Sequence, residues 1–181
     1  EEREHVTNMP VSELGLEVQD IAKAKTLMVD QRRQVPGWKL QATFRNAFDV
    51  LASRPALGQE MCGKMVWTTW GALGQRSTNL ARYLKSILPT SSCVCLCARN
   101  SIDWIVALLA IVLAEFVAVP VHFLAQSSFR AAVIAEAAVQ AAFVDMPGDW
   151  QSLEILEINS IGEMEAKGAA LKKIDDKQAT S

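Results

Sequence analysis

The apolar positions of this chain first fall into register at Phe44, Ala47, Phe48 and Leu51, whose three- and four-residue steps predict a helix ended by Arg54-Pro55. Residues 64–68, with Met65, Val66 and Trp67, predict a short strand. The clearest stripe follows: Trp70, Leu73, Ser77, Leu80, Ala81, Leu84, Ile87 and Leu88 share one helical face, with Thr69 placed to cap it and Pro89 to stop it. Gln75, Arg76, Asn79, Arg82 and Lys85 fall largely off that face. Residues 93–98 form a continuous apolar strand, the pattern of a parallel strand covered on both sides. The alternation then repeats, with helices at about 101–114 and 128–138 and strands at 116–121 and 141–145. Strand, helix, strand, helix, strand predicts the α/β class: an open, mostly parallel sheet with helices on its faces.

The flanks are weaker. Residues 1–38 are expected to be a poorly ordered or loosely docked segment before an α/β core at 39–146. In the remaining stretch, 147–181, a turn at 146–149 leads to a short strand at 153–158, a short helix at 161–171 and a polar loop at 172–181. The longest apolar run, 105–119, is interrupted by Glu115 and followed by Pro120. A membrane-spanning helix needs about 20 apolar residues. The run divides better into a core helix and a buried strand, so no transmembrane span is expected, a membrane anchor over 102–121 being the competing reading.

Hydrophobic residues make up 50% of the 181, enough for a buried core and too many for a disordered chain. A net charge of -2 without a basic stripe argues against nucleic acid as a partner. The cysteines are Cys62, Cys93, Cys95 and Cys97. The last three alternate and would line one side of a strand; their spacing is not that of a zinc knuckle. They read as buried small hydrophobes, with metal or redox roles as the alternative. No signal peptide precedes them, so reduced thiols and an intracellular setting are expected. The chain opens on Glu1 rather than Met, and its last residues carry no stop signal, which suggests an internal fragment.

Candidate chemistry is sparse. His5 and His122 are the two histidines and have no evident Asp, Ser or Cys pairing. His122 stands just past a strand's carboxyl end, where open α/β sheets place ligands. Arg99 and Asp145 also follow strands, read as a solvated turn residue or an anion contact. Asn100 and Ser101 read as turn and cap residues. Glu154, Glu157, Glu163 and Glu165 read as solvated acidic surface, and Trp67, Trp70 and Trp104 as core. These residues form no catalytic set.

From about Thr43 to Asp145 the chain resembles the N-terminal part of the adenylate-forming enzymes, the family of acyl-CoA and aryl-CoA synthetases, luciferase and peptide-synthetase adenylation domains. The residues that carry the resemblance are Arg54-Pro55-Ala56-Leu57-Gly58, Trp67-Thr68-Thr69-Trp70-Gly71-Ala72-Leu73, Leu80-Ala81-Arg82-Tyr83-Leu84, Arg99-Asn100-Ser101-Ile102-Asp103-Trp104 and Val119-Pro120-Val121, in the family's order and spacing. Gly58, Trp67 and Trp70 resemble the long-chain fatty acyl-CoA synthetase branch. So does Ile158-Asn159-Ser160-Ile161-Gly162-Glu163-Met164-Glu165-Ala166-Lys167-Gly168, and Asp175-Asp176-Lys177-Gln178-Ala179-Thr180 is similar to the segment that enters the family's next strand.

The resemblance implies a partial N-terminal domain of an ATP-dependent ligase that joins a fatty or other carboxylic acid to coenzyme A through an acyl-adenylate. It also implies ATP, magnesium and coenzyme A for the full-length protein, with peripheral attachment to an organelle membrane or a cytoplasmic setting. The family's Ser/Thr/Gly-rich phosphate loop, its magnesium acid, its ribose-binding Asp and its C-terminal-domain Lys would all fall after Ser181. These residues hold no Gly-x-x-x-x-Gly-Lys-Ser/Thr, and their nine glycines are scattered. No catalytic, cofactor-binding or metal residue is therefore assigned, and the chain by itself is expected to be inactive. Two departures stand inside the matched region. Glu115 occupies a position where the family usually has a small residue, often Gly, and Val121-His122-Phe123-Leu124 replaces the long-chain branch's Leu-Tyr-Asp-Thr. A stand-alone binding module or a diverged, non-catalytic remnant is the alternative reading.

Overall fold

The computed structural model describes residues 39–145, 148, 150 and 153–178. The expectations for 1–38, His5 included, for most of the turn at 146–149 and for 179–181 lie outside the described residues.

Helix α1, Leu40–Val50, buries Phe48 and leans Phe44 on the same core. The chain then turns, and backbone bonds from Trp70 N to Arg54 O (3.0 Å) and from Gly71 N to Ala52 O (2.9 Å) tie it to the start of the next helix. Between these ties lies an antiparallel hairpin of β1, Pro55–Met61, and β2, Lys64–Thr69. Residues 55–61, where the sequence pattern predicts no element after the helix ended by Arg54-Pro55, are strand. Pro55 is tolerated because it is the strand's first residue. Cys62 and Gly63, at φ 52° and 74°, supply the two left-handed positions of a two-residue hairpin loop. Trp67, expected in the core, is 59% exposed. Among the described residues, the hairpin is a sheet of its own two strands. Trp67 lies beside Gly58, where an added Cβ would meet its ring at 3.0 Å.

Helix α2, Trp70–Ile87, is capped by Thr69, whose hydroxyl accepts from Ala72 N at 3.2 Å. The sequence stripe is the buried face: Leu73, Ser77, Leu80, Ala81 and Leu84. Strand β3, Cys93–Cys97, follows, and then α3, Ile102–Leu113, where Ser101 Oγ accepts from Trp104 N at 3.0 Å. Next come β4, Val117–Pro120, α4, Ser127–Glu136, and β5, Val139–Val144. Last are β6, Glu154–Glu157, a single 3-10 turn, Ile158–Ser160, and α5, Ile161–Gln178. The loop expected at 172–181 is helical through Gln178, because no Gly or Pro interrupts the stretch from 169 to 178.

The four later strands pair in parallel in the order β4-β3-β5-β6. Alternate residues of β3 face opposite layers. Val94 and Leu96 join the core built with α2, α3 and α5. Cys95 and Cys97 face a smaller layer with Val121, Val139, Ala142, Val144 and Trp150, against which α4 lays Val133 and Ile134. The apolar run at 105–119 is broken as expected, into α3 and β4. Glu115 makes the turn at φ 64°. No described helix is long and apolar enough to cross a membrane.

Candidate functional site

The winding of the sheet selects one place for a ligand. From β3 the chain moves outward to β4 through α3 on one face. It then crosses back through α4 on the other face to place β5 on β3's free side. The strand that follows β3 therefore lies on one side of it, and the strand that follows β5 lies on the other. A crevice opens where the chain parts in this way, at the carboxyl ends of the strands.

Arg99 and Asp145 stand on either side of that parting. Asp145 Oδ2 accepts from both the backbone N and the Nε of Arg99, each at 3.0 Å. The Arg99 side chain is 72% exposed, so its ionic contribution is small. The backbone bond is what fixes the two strand ends. Asn159 Nδ2 reaches the Asp145 carbonyl at 3.5 Å and brings in the 3-10 turn.

Two clefts open on this edge, and Phe123 lines both. One, of about 430 Å³, has Cys97, Arg99, Arg130, Asp145 and Trp150 in its walls. The guanidinium of Arg130 sits 5.1 Å from the Trp150 ring centre, a cation–π contact. The other, of about 380 Å³, is walled by Asn100, Trp104, Pro120, Val121 and His122. His122 Nδ1 accepts from Leu124 N at 3.2 Å, which leaves Nε2 as the protonated nitrogen of the neutral ring. Cys97 Sγ donates to the His122 carbonyl at 3.7 Å. Burial pushes the Cys97 thiol above its ordinary range; Arg130 pulls it down and Asp145 pushes it up. Burial, reinforced by Cys97, pushes Cys95 up to about 12. Both stay protonated and behave as packing groups rather than nucleophiles.

The structure thus brings His122, Asn100, Arg99 and Asp145 to one edge and adds Arg130 and Trp150, which the sequence pattern did not single out. Arg130 lies three positions past the first residue of a short helix, and nothing in its spacing marks it. Glu154, Glu157 and Glu163 are exposed, whereas Glu165 corrects its reading as solvated surface. Its side chain is 14% exposed and pairs with Arg76 at 2.8 Å. Arg76 also binds Asp103 at 2.6 Å and so joins α2, α3 and α5. Desolvation lowers the Arg76 pKa, but bonds to Glu165 and Asp103 more than offset this and raise it, so the clamp is charged. Among the described residues no group of three His, Cys, Asp or Glu is placed to hold a metal ion. Nor does a glycine-rich turn there offer backbone N–H groups to a phosphate, so these residues do not fit ATP or magnesium.

The strand order and its crevice define the open, doubly wound α/β class. Within it, residues 44–180 match the family described as AMP-binding enzyme, and the chain belongs to that family. Solved structures agree on the fold. An artificially fused adenylation–PCP di-domain of the NRPS proteins NpsA and ThdA from Klebsiella oxytoca superposes with a TM-score of 0.62 at 18% identity, covering 72% of this chain and 24% of that one. The K. oxytoca NpsA N-terminal subdomain in complex with 3-hydroxybenzoyl-AMSN gives 0.61 at 17%, covering 69% and 31%. The Bacillus subtilis O-succinylbenzoate coenzyme A synthetase MenE, with AMP, gives 0.59 at 14%, covering 66% and 32%. The chain therefore spans a quarter to a third of the length of these structures. No curated protein matches it.

Proposed function

We propose that this chain is the opening part of the large N-terminal domain of an acid–thiol ligase. That enzyme would use ATP to convert a carboxylic acid into an acyl-adenylate and pass the acyl group to coenzyme A. The observation that carries the reading is the family match over 44–180 on a sheet wound in this order. A long-chain fatty acid is the proposed substrate. Support for it is the resemblance of Gly58, Trp67, Trp70 and residues 158–168 to the long-chain branch. The role proposed for these residues is architectural. They build the sheet, its packing helices and the crevice edge, and no step of the chemistry is assigned to them. The proposed setting is the cytoplasm or the surface of an organelle membrane.

The test is carboxylate-dependent exchange of labelled pyrophosphate into ATP. The 181 residues alone are expected to give none. A protein carrying them ahead of a Ser/Thr/Gly-rich loop ending in Lys-Gly is expected to exchange with palmitate and much less with 3-hydroxybenzoate. Preference for the aryl acid would remove the fatty-acid assignment and leave the adenylate-forming one. Clear exchange by the 181 residues alone would overturn the architectural role.

A further inference from the structure

We draw no further inference here: the strongest candidate, the exposed surface of the β1–β2 hairpin with Met65 and Trp67 on one face and Met61 and Val66 on the other, carries nothing, because nothing in the structure shows what covers it.

Discussion

Individual residues here are set by burial more than by type. Ser77 lies on the apolar stripe of α2, fully buried, and its hydroxyl has no hydrogen-bond partner among the described residues. Leaving a buried polar atom unpaired costs about 1–3 kcal/mol. Ser77→Ala is therefore expected to hold or raise the melting temperature, and a clear drop would show an unseen partner. Cys95 offers a second test, through pH. Its thiol rises from an ordinary 9.0 to about 12 because the anion would be desolvated. The folded state thus keeps a proton that the unfolded state releases. Stability from this group is complete below about pH 9 and is lost as pH climbs toward 12. Cys97 is shifted the same way and adds to the loss. Melting temperatures between those limits are expected to fall less steeply for Cys95→Ala than for the unaltered chain. Sequence could place both residues on inward faces from periodicity alone. It could not say that Ser77 would lack a partner, since that depends on α3 and α5, which pack against α2 from far along the chain.

Elements were legible where their own residues decide them and illegible where a neighbour does. Thr69 and Ser101 could be read as caps because capping is local, within three residues. The turn at Glu115 was foreseen from the expected Gly and is formed, left-handed, without one. Strand β1 has no local signal, since Pro55 and Gly58 disfavour a strand by themselves, and it exists through pairing with β2. The docking of α5 is the clearest non-local case. A Cβ added at Gly168 would run into the backbone of Asn79 and meet Tyr83 N at 3.1 Å, so α5 crosses α2 in backbone contact. Lys167 adds a contact over the Tyr83 ring at 5.6 Å. Gly168→Ala has rigid backbone against it and is expected to cost about 1–3 kcal/mol in chemical denaturation. An unchanged midpoint would mean that α5 docks differently. Arg76→Ala strands Glu165 without its partner and is expected to cost a comparable about 1–3 kcal/mol. Arg76→Lys should recover little, because one ammonium cannot reproduce the bonds the guanidinium makes through Nε and Nη2.

At the scale of the whole chain, the distribution of exposed apolar side chains becomes informative. Met61, Met65, Val66 and Trp67 are 46–59% exposed on the hairpin, and Val117 is 52% exposed on the edge strand β4. A two-stranded hairpin is marginal in water, and an unpaired apolar edge is a template for association. The candidate crevice was legible only as a rule about strand ends. His122, Arg99 and Asp145 were flagged one by one, while the order β4-β3-β5-β6 that gathers them follows from crossover directions that no local pattern encodes. Among the described residues the same order leaves β4 and β6 as edges. These features favour a part of a larger sheet over a self-sufficient module, and the two readings diverge on one measurement. As part of a larger sheet, the 181-residue chain is expected to self-associate with rising concentration in sedimentation, and Trp67→Lys with Val117→Lys is expected to reduce that association while preserving helix content. A chain that sediments as a monodisperse monomer through the millimolar range would favour the stand-alone module, whatever its family.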